Sequence, residues 1–268
     1  MIYFPNAKIN LGLAVTELRA DGFHHIETCY YPIPLFDVLE FVESRQFELT
    51  VFGKQLEGPI EDNLISRVWQ LMHREFQVPP VKVALLKMIP TGAGLGGGSS
   101  DAAFFIKGLN TLFSLGLSND QMETVSVRLG SDCPFFIRNQ PAIGKGRGEV
   151  LIEIPLSLSG YQLTLVFPGY FISTALAFRQ VVPHSIDFSF AEVIALHPTK
   201  WRHRLVNDFQ PVATAMYPKI GQIVDQLYLA GATYASLTGS GSAVFALSEN
   251  PLSVSPLDRD FVVYKRAL

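Results

Sequence analysis

Apolar and polar residues alternate near the start of the chain. Ile9, Leu11, Leu13 and Val15 fall on one side of an extended segment and Lys8, Asn10 and Gly12 on the other, which predicts a strand with Lys8 and Asn10 on a common face. After the loop "ELRADGFHH" come the β-like segments "IETCYYPI", "DVLEFVE" and "FELTVFG", separated by Gly and Pro. The period then lengthens in "EDNLISRVWQLMHREF", where Leu64, Ile65, Val68, Leu71 and Met72 form one stripe and Asp62 or Asn63 supplies the cap of a helix. "VKVALLKMIP" reads as a strand entering a glycine-rich loop. Beyond that loop Ala102, Phe105, Leu109 and Leu112 recur at helical spacing, with Ser99 or Ser100 as the cap. Ser118 and Gln121 fit a capping box for a further helix ending at Gly130, and "SDCPFFI" is expected to turn into a strand. The second part reads as strand "YQLTLVF", helix "STALAFRQV", an irregular middle, helix "PKIGQIVDQLYLAG" and strands "ATYASLTG", "SAVFAL" and "FVVYK". This order predicts an α+β fold with helices on one face of the sheet, in two domains covering 1–155 and 156–268.

Composition narrows the function classes. The 268 residues carry 17% charged side chains and a formal net charge of -3, with no basic run, which argues against a nucleic-acid partner. Cys29 and Cys133 have neither the number nor the spacing of a disulfide framework or a zinc site, so a reducing, cytoplasmic setting is expected. "MIYFPNAKIN" lacks the basic start and long apolar stretch of a signal peptide. Ile154 to Phe178 is uncharged and long enough to span a bilayer, but Pro155, Gly160, Pro168 and Gly169 break it into strand, turn and helix start. No membrane partner is expected.

The chemistry concentrates in "PTGAGLGGGSSDAA", Pro90 to Ala103. A Walker A loop needs a lysine after its last glycine, and none occurs between Met88 and Lys107. Gly92, Gly94 and Gly97 match a dinucleotide fingerprint in form, yet the acid required about 20 residues on falls in the helix cap "SNDQ". The valine, V-A-I-K and H-R-D segments of a protein kinase are absent. What survives is general: glycines let backbone N–H groups approach an anion, and the helix N-terminus adds partial positive charge. The plainer alternative is a glycine-rich turn needed only for helix and strand packing, and it is the less favoured of the two.

The loop strongly resembles the central motif of the galactokinase, homoserine kinase, mevalonate kinase and phosphomevalonate kinase (GHMP) superfamily. "AKINLGL", "RADGFHHIET", "DNLI", "GSDCPFF", "LVNDF" and "TGSGSAVF" resemble further motifs of one branch, whose members phosphorylate a cytidine-diphosphate-linked polyol on its 2-hydroxyl. The resemblance implies a two-domain GHMP kinase fold, with an N-terminal domain like domain 2 of ribosomal protein S5 and a ferredoxin-like C-terminal domain. It implies ATP, with Mg²⁺ through ATP, and a small-molecule acceptor. It also assigns ATP contacts to Pro90, Thr91, Gly92, Ala93, Gly94, Leu95, Gly96, Gly97, Gly98, Ser99, Ser100 and Asn63.

By the same resemblance Asp132 accepts or polarises the acceptor's proton, and Lys8 stabilises negative charge. Asn10 contacts the polyol. His24 reads the cytosine edge, while Phe23 and Phe178 pack on the base; the family usually carries Tyr where this chain has Phe23. Thr174 corresponds to a position near the cytidine, and Thr238, Gly239, Ser240 and Gly241 form a second glycine turn. No metal ligand is assigned, Ser99 or Ser100 being the candidates. Each residue also has a plainer reading: Asp132 as a turn residue, Lys8 as a solvated lysine, Asn63 and Thr174 as helix caps, and Thr238 to Gly241 as a hairpin turn. Two alternatives stand beside the branch assignment: a homoserine or mevalonate kinase, and a relative that binds ligand without transferring phosphate.

Overall fold

A computed structural model describes residues 1–53, 58–255, 257 and 261–268. The strands, in chain order, are β1 (Ile2–Tyr3), β2 (Asn6–Leu18), β3 (His24–Phe36), β4 (Val38–Glu43), β5 (Glu48–Gly53), β6 (Val81–Lys87), β7 (Ala142–Lys145), β8 (Val150–Glu153), β9 (Gln162–Phe167), β10 (Tyr234–Leu237), β11 (Val244–Ser248) and β12 (Val262–Ala267). The helices are α1 (Leu64–Phe76), α2 (Gly97–Leu112), α3 (Asn119–Ser126), α4 (Cys133–Arg138), α5 (Thr174–Gln180), α6 (Phe190–Ile194), α7 (Phe209–Met216) and α8 (Pro218–Leu229). They form two compact units interleaved along the chain, and Pro155, in the connection from β8 to β9, lies within the second of them.

The first unit comprises Met1–Ala7, Leu35–Thr91 and Gly96–Gln140. Its sheet runs β1-β4-β6-β5, with β5 parallel to β6 and the other pairs antiparallel. Alternation along β6 buries Val81, Val83, Leu85 and Lys87 and turns Lys82 and Leu86 outward. Helix α2 packs on the buried face: the Phe41 and Phe105 rings meet edge to face at 5.1 Å, and a Cβ at Gly108 would lie 2.3 Å from Phe41. Glycine at that position is what allows the helix so close to the sheet.

The second unit comprises Lys8–Pro34, Gly92–Leu95 and Pro141–Leu268. One sheet has the order β2-β3-β7-β8 and the other β10-β11-β9-β12, the latter antiparallel throughout. Leu13, Val15 and Ile26 join Val166, Phe209, Ile223, Leu227 and Val244 in a single apolar core. The α+β expectation therefore holds.

Several local expectations need correction. "SDCPFFI" forms helix α4 and not a strand: Pro134 occupies the first turn, where its missing N–H costs nothing, and left-handed Asn139 (φ 56°) ends the helix. Phe135, Phe136 and Ile137 are buried in succession, a run whose period does not separate helix from strand. Helix α2 starts at Gly97 after a left-handed Gly96, so Ser99 and Ser100 lie inside its first turn and do not cap it. Helix α3 has the expected Ser118–Gln121 capping box but ends at Ser126, short of Gly130. Between α5 and α7 the irregular middle contains the short helix α6. None of the helices among the described residues is long and apolar enough to cross a membrane.

Candidate active site

The residues of the second unit converge on Asn10. Lys8 Nζ donates to Asn10 Oδ1 at 2.7 Å, and the same oxygen accepts from Gly239 N at 2.9 Å and lies 3.3 Å from Thr238 Oγ1. Asn10 Nδ2 in turn donates to Thr28 Oγ1 at 3.0 Å. The common face of β2 is as expected, but neither residue is solvated: Lys8 is 3% exposed and Asn10 1%. The Lys8 ammonium also lies 5.4 Å from the centroid of the Tyr30 ring. Such burial of a lysine demands partners, and a carboxamide fixed by three neighbours supplies one.

The first half of the glycine loop docks on the same network. Lys8 N donates to Leu95 O at 3.0 Å, and Thr238 Oγ1 donates to Gly94 O at 3.1 Å. Gly94 adopts φ +77°, and a Cβ there would stand 2.0 Å from Thr238 O. Close approach of two backbones is thus the requirement at this position. The turn Thr238–Gly241 does connect β10 to β11, as the plain hairpin reading had it, and Asn207 holds it by donating from Nδ2 to Leu237 O and Gly239 O at 2.9 Å each.

A second cluster in this unit is aromatic. His24 stacks on Phe178 at 5.1 Å with 24° between planes, and Phe178 meets Phe209 edge to face at 4.8 Å. Phe23 is 53% exposed. Ser173, not Thr174, caps α5, leaving the Thr174 hydroxyl to pair with Ser240 Oγ at 3.0 Å.

In the first unit lie Pro90, Thr91, Gly96 to Ser100, Asn63 and Asp132. Asn63 caps α1 by accepting from Ile65 N at 2.9 Å. Asp132 is the residue preceding α4 and makes no capping bond with its side chain. Next to it, burial pushes the Cys133 thiol up to about 12, so it remains a protonated packing group. Ser100 Oγ is buried and lacks a protein partner, a donor-acceptor left over in the first turn of α2. Such an orphan hydroxyl, in the first turn of a helix that follows a glycine-rich loop, fits a polyphosphate with its cation. No group of three or more His, Cys, Asp or Glu suited to a metal occurs among the described residues.

Four residues escaped the sequence reading. Lys87 is buried between Asp37 and Asp101 beneath the loop, pairing with Asp101 at 2.6 Å and with Asp37. Arg147 stands over the Phe23 ring. Lys87 carried a signal, a lysine on the inward row of an alternating strand; the partners 50 and 14 residues away did not.

This fold and this loop define a small-molecule kinase of the GHMP class. The GHMP kinases N terminal domain model matches residues 63–140 and the GHMP kinases C terminal model residues 194–256. A 4-diphosphocytidyl-2-C-methyl-D-erythritol kinase of Bacteroides thetaiotaomicron is 47% identical over 93% of this chain and 92% of its own length. One of Porphyromonas gingivalis is 41% identical over 92% of each. A crystal structure of 4-(cytidine 5'-diphospho)-2C-methyl-D-erythritol kinase superposes with a TM-score of 0.84 at 29% identity, covering 99% of this chain and 98% of that one. A mevalonate kinase structure, at 14% identity and a TM-score of 0.72, shares the fold. The chain belongs to the GHMP kinases, in the branch of the 4-diphosphocytidyl-2-C-methyl-D-erythritol kinases.

Proposed function

We propose that this chain transfers the γ-phosphoryl group of ATP to the 2-hydroxyl of 4-diphosphocytidyl-2-C-methyl-D-erythritol, a step in isoprenoid precursor synthesis in the cytoplasm. The observation that carries the reading is the Asn10 network, which joins a buried lysine, half of the glycine loop and the Thr238–Gly241 turn in one set of hydrogen bonds. Relatives that are 41–47% identical over most of the chain and bear that kinase's name support the choice of acceptor. So does the His24–Phe178 pair, which offers a flat apolar surface and a ring nitrogen to a pyrimidine.

Phosphoryl transfer relies on positioning and charge stabilisation more than on covalent help from the protein. Residues 92–100 cradle the polyphosphate through backbone N–H groups, with Asn63 and Pro90 at the nucleoside end. Mg²⁺, when bound with ATP, neutralises phosphate charge; Ser100 Oγ is the protein oxygen here that suits it. Asp132 takes the proton from the attacking hydroxyl, and Lys8, aimed by Asn10, supplies positive charge to the transferring group. Asn10 and Thr174 orient the polyol and cytidine ends. We assign the two kinase domains to residues 1–155 and 156–268.

The test is transfer from labelled ATP to a panel of the cytidine compound, homoserine and mevalonate, by the wild type and Asp132→Asn. Loss of a general base should lower kcat by about 10²–10⁴-fold while ATP still binds. Near-normal turnover in Asp132→Asn removes that residue from the mechanism, and transfer to another acceptor removes the substrate assignment.

A further inference from the structure

The turn between β7 and β8, Gly146-Arg147-Gly148, is built against the loop that carries Phe23 and His24. Ile26 N donates to Gly146 O at 2.7 Å, and a Cβ at Gly148 would lie 2.3 Å from the Tyr30 hydroxyl, so the tip of this hairpin has one seat. Gly146 (φ +70°) and Gly148 (φ +108°) provide the left-handed conformations the turn needs. Glu149 locks the tip from inside, accepting from Arg147 N at 2.5 Å and lying 3.6 Å from its guanidinium.

The facing loop is equally ordered. Arg19 N donates to Phe23 O at 2.8 Å, and Asp21 accepts from Phe23 N at 3.1 Å while paired with the Arg19 guanidinium at 2.7 Å. Arg19 holds the Asp21 carboxyl down to about 2. With its backbone fixed, Phe23 retains only its ring torsions, and half of that ring is bare. The Arg147 guanidinium carbon sits over the ring, 4.8 Å from its centroid, while about half of the residue remains exposed.

We propose that Arg147 is a positioning residue for the acceptor: it fixes the Phe23 ring so that its exposed surface meets the substrate's nucleobase. The inference rests on the base-recognition role given to Phe23 and His24 above. Phe23 has no polar group of its own to tether the ring, and the Arg147 guanidinium over it supplies the restraint. The guanidinium suits the task because it stacks flat and is weakly hydrated, whereas an ammonium is a hydrated point charge.

Steady-state kinetics on the full chain test this with Arg147→Met, Arg147→Lys, Phe23→Leu and the double variant Phe23→Leu/Arg147→Met. Loss of a half-exposed cation–π contact corresponds to about two- to five-fold weaker binding. Arg147→Met should therefore raise KM for the cytidine substrate by that factor, leave kcat and the KM for ATP unchanged, and be rescued only in part by lysine. Because Arg147 acts through the ring, the double variant should be no worse than Phe23→Leu alone. If Phe23→Leu raises the acceptor KM while Arg147→Met does not, or if the two effects simply add, Arg147 has no positioning role. If neither Phe23→Leu nor a His24→Ala control raises it, the base-recognition reading falls, and this inference with it.

Discussion

Replacing Asp101 by Asn removes one charge from the ionic cluster beneath the glycine loop and separates two descriptions of how that loop is held. Asp37 is fully satisfied: Oδ1 accepts from Met88 N at 2.6 Å and Ile89 N at 2.8 Å, and Oδ2 contacts the Lys87 ammonium. Asp101 is not: Oδ2 accepts from Lys87 at 2.6 Å, but buried Oδ1 has no partner. One lysine thus serves two buried carboxylates. Burial pushes Asp101 from 3.8 up to about 8, with the Lys87 charge opposing only in part. A carboxyl that holds its proton more tightly when folded favours the folded state fully below its unfolded pKa, and that contribution is lost as pH rises toward about 8. At about 1.4 kcal/mol per pKa unit, the loss has a ceiling on the order of 5 kcal/mol, part of it shared with Lys87. Asn keeps the shape and the acceptor facing Lys87 but does not titrate. The stability of Asp101→Asn relative to the wild type should rise steadily from about pH 5 to about pH 8.5, where the variant is the more stable of the two. Asp37→Asn, which strips a charge from a satisfied pair, should cost about 3–5 kcal/mol. Urea unfolding followed through Trp69, which lies in the same unit, reads both effects across this pH range. Parallel pH profiles for the wild type and Asp101→Asn would refute the reasoning.

Lys107 Nζ donates to Phe136 O at 2.9 Å and Ile137 O at 3.3 Å, and burial pushes its pKa down to about 8 from 10.5. Its depressed pKa means stability rises between about 8 and 10.5, so Lys107→Met should flatten that alkaline rise while costing about 1–3 kcal/mol at neutral pH for the abandoned carbonyls; denaturation midpoints at pH 7 and 10 check both. Gly94→Ala places a methyl 2.0 Å from Thr238 O at φ +77°; it should leave circular dichroism nearly unchanged and reduce phosphate transfer by at least about tenfold, and wild-type turnover in that variant would show that the loop accepts displacement.

Much of the fold was legible because period and punctuation act locally. The alternation from Ile9 to Val15 located β2, and the Asn63 and Ser118 caps marked helix starts correctly. Alternation, however, states which residues share a face and not what covers it, so buried Lys8 and Asn10 looked the same as solvated residues on a half-exposed strand. The buried run Cys133 to Ile137 gave no period at all, and only Pro134 in a helical first turn separates α4 from a strand. Asp37, Lys87 and Asp101 are dispersed along the chain, and their pairing follows from α2 lying on the inward row of β6.

The glycines of the central loop illustrate why a motif read as an anion cradle is incomplete as a physical account. Gly94 is required by the backbone of Thr238, and Gly97 by the Ile89 side chain, 2.9 Å from where its Cβ would stand. Both constraints come from protein packing and would exist with no phosphate bound. Phosphate recognition and internal docking therefore impose the same residue type through different neighbours, and substitution at Gly94 perturbs the seat of the loop before it touches a ligand. Gly98 is the useful contrast. A Cβ there meets only Leu64 at 3.5 Å, an ordinary contact, and the residue needs no left-handed conformation, so packing tolerates alanine at that position. Any demand for glycine at 98 must then come from close approach of a ligand to the helix N-terminus, which makes a comparison of alanine at 94 and at 98 a measure of the two requirements separately.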